Sequence, residues 1–99
     1  MHARLITFSG ANPENRERAI QTIRETVIPT LRGYDGYAGY LALYDKETRR
    51  AMAVILWDSE EAAKAAEVTL AERRHQMASG VGLTVESADL YEAPVVELE

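Results

Sequence analysis

The pattern of apolar and polar positions changes its period along the chain. His2 to Ser9, HARLITFS, sets Leu5, Ile6 and Phe8 around Thr7 and predicts a strand. Gly10-Ala11-Asn12-Pro13 breaks it. Ile20, Ile23, Val27 and Leu31 then recur at helical spacing. That one-sided stripe predicts a helix from Pro13 to about Ile28. Asn12 suits its N-cap, and Pro13 suits the first turn, where a missing N–H costs nothing. Pro29 should end or kink the helix, because its ring clashes with the carbonyl four residues back. Tyr37 to Tyr44, YAGYLALY, and Ala51 to Trp57, AMAVILW, are short apolar runs around a charged reversal, DKETRR. They predict a hairpin with a loop of about four or five residues, since no Asn-Gly or Asp-Gly pair is present.

A second helix follows from Asp58 or Ser59, EEAAKAAEVTLAERRHQM, rich in alanine. On a wheel, Ala62, Ala66, Thr69, Leu70 and Met77 share one face. Ser79-Gly80 should end it, with Gly80 in the left-handed cap position. Leu83 to Tyr91, LTVESADLY, is the most polar strand and suits an edge. Val95 to Glu99 is a tail with the reach to cross onto a partner subunit.

The order β-α-β-β-α-β is the ferredoxin-like α+β arrangement, an antiparallel sheet with two helices on one face. The run Ala51–Trp57 reads as buried on both faces, yet too few elements remain to cover both sides of the sheet. A second copy of the same sheet supplies the cover, so a homodimer is expected.

Composition narrows the field. Ninety-nine residues suit one domain over residues 1–99, which buries somewhat more than ~60% of its unfolded surface. A net charge of −5 disfavours nucleic acid and anionic membranes as partners. The absence of cysteine excludes disulfides and thiolate metal sites. No apolar run reaches the ~18 residues of a membrane span, and MHARLITFSG lacks the features of a signal peptide, so a cytoplasmic protein is expected. No nucleophile elbow, P-loop, dinucleotide fingerprint or His-Glu-x-x-His motif is present, and no metal site is expected.

Val27 to Asp45, VIPTLRGYDGYAGYLALYD, and Ala53 to Glu61, AVILWDSEE, resemble the antibiotic biosynthesis monooxygenase-like family of the dimeric α/β-barrel superfamily. The resemblance covers nearly the whole chain. Pro29, Gly36 to Tyr40 and Trp57 to Glu60 carry most of it. It implies two sheets face to face as a dimeric α/β barrel, with a pocket in each subunit between sheet and helices. Members include cofactor-independent oxygenases of polycyclic aromatics, which use Asn, Trp, Tyr and Arg side chains, and haem-degrading enzymes, whose ligating His lies late in the second helix, as His75 does here.

The candidate catalytic residues are Arg73, Tyr40 and His75. Arg73 falls near the apolar centre of the second helix, where a guanidinium could meet a phenolate, enolate or carboxylate. Arg74 should face away. His75 lies roughly 180° from Ala66 on the wheel, toward solvent. The candidate substrate-binding residues are Trp57, Tyr37, Tyr34, Thr7 and Arg4. Trp57 would be a stacking wall and Tyr34 a gate at the pocket mouth. Tyr37, Tyr40 and Tyr44 are all candidate hydrogen-bonding groups, but Tyr37 and Tyr40 should point to opposite faces of a regular strand. Three readings follow: a cofactor-independent monooxygenase acting on an aromatic or enolisable molecule, a non-catalytic small-molecule-binding or accessory module, and a haem protein with His75 as ligand.

Overall fold

The structure, a computed structural model, describes residues 1–98. Strand β1 (His2–Ser9) leads through a short 3-10 turn at Pro13–Asn15 into the first helix, made of α1 (Arg16–Thr22), a π turn (Ile23–Val27) and α2 (Ile28–Arg32). The hairpin of β2 (Tyr37–Asp45) and β3 (Arg50–Trp57) follows, then α3 (Glu60–Gly80) and β4 (Thr84–Glu92). The strands form one sheet in the order β2-β3-β1-β4, with every pairing antiparallel. This is the ferredoxin-like α+β fold. β4 lies at an edge, as its polarity suggested.

The capping residues act locally. Asn12 Oδ1 accepts the Glu14 N–H at 3.0 Å, and Ser59 Oγ accepts the Ala62 N–H at 3.1 Å. Ser59, and not Asp58, is therefore the cap of α3. The first helix does not stop at Pro29. It continues to Arg32 because the preceding turn widens: the Ile28 N–H reaches Ile23 O. This π turn rearranges the ladder just before the proline, where a regular helix would have required the missing donor. The second helix runs through Gly80, and the left-handed residue is Gly82, with φ +79°.

Side chains alternate across the sheet. The paired residues Ile6 and Ala53 face the helices, as does Ile55, and with Leu31, Ala63, Ala66, Leu70 and Trp57 they form the core. Trp57 and Leu31 are completely enclosed, each contributing ~1.5–3 kcal/mol by burial. The opposite face carries Leu5, Leu41, Leu43, Met52 and Val54 and has no helix over it; Leu41 and Leu43 are about half exposed, at 50% and 44%.

One break in the alternation matters. A register shift between Tyr37 and Gly39 places Tyr37 opposite Trp57 and Tyr40 opposite Ile55. Both tyrosines therefore lie on the helix side, contrary to the regular-strand expectation. The bulge adds the residue that returns Tyr37 to that face.

Gly36 fixes the approach to this bulge. Its φ is +83°, and a Cβ there would stand 2.5 Å from Ala62 Cβ and 2.6 Å from Asp58 Oδ1. Gly36→Ala is expected to lower the melting temperature by about 10 °C or more, combining left-handed strain with a clash against a helix. Gly80→Ala, whose Cβ would meet nothing within 4 Å, should be neutral or stabilising. Thermal unfolding followed by circular dichroism at fixed protein concentration compares them; equal melting temperatures would refute the packing role of Gly36.

Candidate functional site

The helices do not fill the helix-side face of the sheet. A cavity of about 260 Å³ remains between β1, β2, β3, the first helix and the second half of α3. Ile6, Ala42, Ala53 and Ile55 form its floor, and Ile20, Ile23, Val27 and Met77 stand opposite. Small floor residues leave the space. The polar groups of its wall include Tyr40 and Tyr44 of β2, Arg73 and Arg74 of α3, and Asn12, Asn15 and Arg16 at the start of the first helix. Tyr40 and Tyr44 share a face because they are four residues apart.

Three of the nine candidates named from sequence, Tyr40, Tyr44 and Arg73, line this cavity. Arg73 is exposed, so it stands at the rim. The other six lie elsewhere. Trp57 is a core residue, with the rings of Tyr34 and Tyr37 edge-on to it at 6.4 and 6.1 Å. Tyr34 holds its hydroxyl 2.7 Å from Thr69 Oγ1, tying the turn to α3. These three aromatics pack together outside the cavity wall. Thr7 faces the uncovered side of the sheet and hydrogen-bonds Ser87 across to β4, because its strand neighbours Ile6 and Phe8 face the helices. Arg4 is on the correct face, but it is spent on an internal ion pair. His75 is exposed and outside the wall. No histidine lines the cavity, so its residues do not fit haem held by an axial imidazole. Among the described residues no cluster of His, Cys, Asp or Glu could hold a metal ion.

Arg74 is the residue that the wheel misplaced. Its side chain is only 9% exposed, and its two terminal nitrogens donate to Glu67 at 2.6 and 2.8 Å. Arg4 approaches the same carboxylate from β1, with Nε 3.7 Å from Glu67 Oε1, and donates to Ala88 O at 3.4 Å. Two guanidiniums thus share one carboxylate at the junction of sheet and helix. Burial pulls the Glu67 pKa up, but the Arg74 hydrogen bonds and the charges of Arg74 and Arg4 outweigh it, leaving the carboxyl below its ordinary value. Tyr40 is pushed up to about 12, chiefly by burial and further by Tyr37, against a lowering pull from Arg74. At neutral pH it is a hydroxyl donor and not a base.

Arg74 escaped notice because an alanine-rich helix marks its buried side poorly. That side centres on Ala63 and Leu70, turned about 50° from Ala66 at ~100° per residue. Arg16 did carry a signal: with Ile20, Ile23 and Val27 it continues one helical stripe.

No family model matches the chain, and no curated protein matches it. Solved structures do. The monooxygenase ActVA-Orf6 of Streptomyces coelicolor, solved with nanaomycin D, superposes with a TM-score of 0.74 at 19% identity, covering 99% of this chain and 91% of its own. SnoaB of Streptomyces nogalater, a cofactor-independent oxygenase, gives 0.67 at 15% identity over 99% and 97% of the two chains. The chain has the fold of these oxygenases. A Deinococcus radiodurans protein provisionally called an antibiotic biosynthesis monooxygenase gives 0.72 at 19% identity over 100% and 98%. At such identities the likeness establishes the fold that all of them share.

The Arg4–Glu67–Arg74 group makes a pH-dependent prediction. A carboxyl with a depressed folded pKa contributes stability that is present above its ordinary value of 4.5 and lost as pH falls through the folded value. Glu67→Gln should cost about 2 kcal/mol at pH 7, less than a fully buried pair would because Glu67 is 24% exposed. The difference from the parent should be smaller at pH 3 than at pH 7. Urea unfolding at both pH values measures it, and an equal cost at both would contradict an ionised, paired Glu67.

Proposed function

We propose that this chain is a single domain of the antibiotic biosynthesis monooxygenase-like family, working in the cytoplasm as a homodimer. It would hold a flat aromatic or enolisable molecule in the cavity and support reaction of its anion with O₂ without a cofactor. The observation that carries this reading is the cavity: apolar along its length, with Tyr40 and Arg74 converging at one end. Apolar walls with few fixed polar groups suit such a ligand. The fold shared with SnoaB and with ActVA-Orf6, which was solved with nanaomycin D in place, supports it.

The roles follow from the side chains. Tyr40, neutral at pH 7, donates a hydrogen bond to the substrate oxygen that gains charge. Arg74, held by Glu67, contributes fixed positive potential beside it, and Arg73 adds a cation at the rim. Preorganised donors of this kind stabilise a developing anion without reorganising. No carboxylate or imidazole lines the wall, so the substrate must lose its proton to water or buffer. That same lack of a base is what favours the second reading, a binding module without chemistry.

Oxygen consumption with an anthrone, measured across pH, separates the two. The oxygenase reading expects uptake above the uncatalysed rate, rising as the substrate ionises, and a tenfold or greater loss in Tyr40→Phe or Arg74→Gln. Uptake at the uncatalysed rate, with the anthrone nonetheless bound in native mass spectrometry, selects the binding module.

The homodimer reading draws on the uncovered apolar face of Leu5, Leu41, Leu43, Met52 and Val54, a surface that monomers rarely leave in water. Native mass spectrometry should find a dimer for the parent and a monomer for Val54→Glu at the same concentration. A monomeric parent would sink the reading.

A further inference from the structure

The cavity has a second polar end that the proposed chemistry does not use. Tyr44 stands four residues beyond Tyr40 on the same strand face, about 13 Å away at ~3.3 Å per residue. Its hydroxyl oxygen is buried and has no hydrogen-bond partner. The Arg16 guanidinium sits 5.8 Å from the Tyr44 ring centroid, and both residues line the cavity. Asn15 lines the same end and makes no capping bond with its side chain.

Charge sharpens the point. The chain carries 16 acidic against 11 basic residues, yet three arginines and no carboxylate line this cavity. Glu67 pairs with Arg74 from outside the wall but is shared with Arg4, so that group keeps a net positive charge. Arg73 has no ion-pair partner among the described residues. Beyond its contact with the Tyr44 ring, Arg16 has only Glu17 as an ion-pair partner, at 4.0 Å with side chains 54% and 91% exposed, a geometry that binds weakly. A cation with little internal compensation and a buried, unsatisfied hydroxyl thus lie together at the far end of an apolar slot.

We propose that the ligand of this cavity is an aromatic carboxylate, its carboxylate held by Arg16 and the Tyr44 hydroxyl while its ring system extends toward Tyr40 and Arg74. A turn of the Tyr44 ring brings its O–H, enclosed in the free protein, to one carboxylate oxygen, and Arg16, whose planar fork matches a carboxylate, donates to the other. The small residues Ala42, Ala51 and Ala53 form the flat floor for the rings. The inference deepens the proposed function and rests on the same cavity being the ligand site.

The test is a fluorescence titration of the full chain with anthracene-2-carboxylate and with its neutral counterpart, 2-(hydroxymethyl)anthracene. The parent should bind the acid about tenfold or more tighter than the alcohol, as expected for charge-assisted hydrogen bonds. Tyr44→Phe and Arg16→Gln should each remove most of that preference. Tyr44→Phe should also raise the melting temperature of the free protein, since it deletes a buried hydroxyl without a partner; that readout shows the variant is folded. Equal binding of acid and alcohol by the parent overturns the carboxylate assignment while leaving the cavity as a ligand site. Binding of neither probe overturns both. A preference that survives both substitutions overturns the assignment to this end of the cavity.

Discussion

Glu67 sits where three constraints meet. Its carboxylate is shared by Arg74 of its own helix and Arg4 of the central strand β1. Buried guanidiniums are costly unless paired, so rotation of α3 away from this register would strand two cations in a low-dielectric setting. The pair Arg4–Glu67 spans sheet and helix, whereas Glu67–Arg74 spans two turns of the helix. Together they lock the helix azimuth, which hydrophobic packing of alanines alone would fix poorly. The orientation of the second half of α3, and hence the cavity wall, follows from that lock.

Side-chain size then decides where space remains. Ala63 and Ala66 in the first half of α3 bring the helix close to the sheet beside Trp57. Tyr34, Tyr37 and Trp57 fill that end edge to face, and Gly36 has no room for a side chain. Toward the other end the floor turns to Ala42, Ala51 and Ala53, while the first helix stands opposite. Large residues at one end and small ones at the other make a filled half and an open half. The same aromatic content that sequence reading assigned to a pocket is instead the packing that closes the opposite end.

The fold was legible because it rests on periodicity. Apolar runs, a helical stripe and the caps at Asn12 and before Ala62 are local signals, and the β-α-β-β-α-β order follows from them. The site was legible only at Tyr40, Tyr44 and Arg73. Three physical causes account for the rest. A bulge at Tyr37 shifts the parity of β2, and no turn dipeptide announces it. A π turn lets the first helix pass Pro29, extending the wall as far as Leu31. The apolar face of α3 is written in alanine, so a rotation of about half a residue step exchanges Arg73 for Arg74 as the buried cation. Each cause is a small displacement in register or angle, below what residue spacing can express, yet enough to move a side chain from solvent to cavity.

Charge distribution adds a constraint that neither fold nor packing requires. A chain of net charge −5 could have turned carboxylates into this cavity, but only arginine, tyrosine and asparagine provide strongly polar groups there. Glu67 shows that this is not avoidance of buried acid: a carboxylate is accepted inside when two guanidiniums compensate it. At the wall, Arg73 has no ion-pair partner among the described residues and Arg16 only a long, exposed one. In an apolar slot partly screened from water, such cations create positive potential that extends farther than it would at an open surface. An empty cavity gains nothing from that potential, and burying the Tyr44 hydroxyl without a partner costs stability. An anion entering the slot would meet both the potential and the unsatisfied donor. The features that are unfavourable in the free protein are therefore the ones that binding would relieve, which is the usual signature of a site shaped for its ligand and not for its own stability.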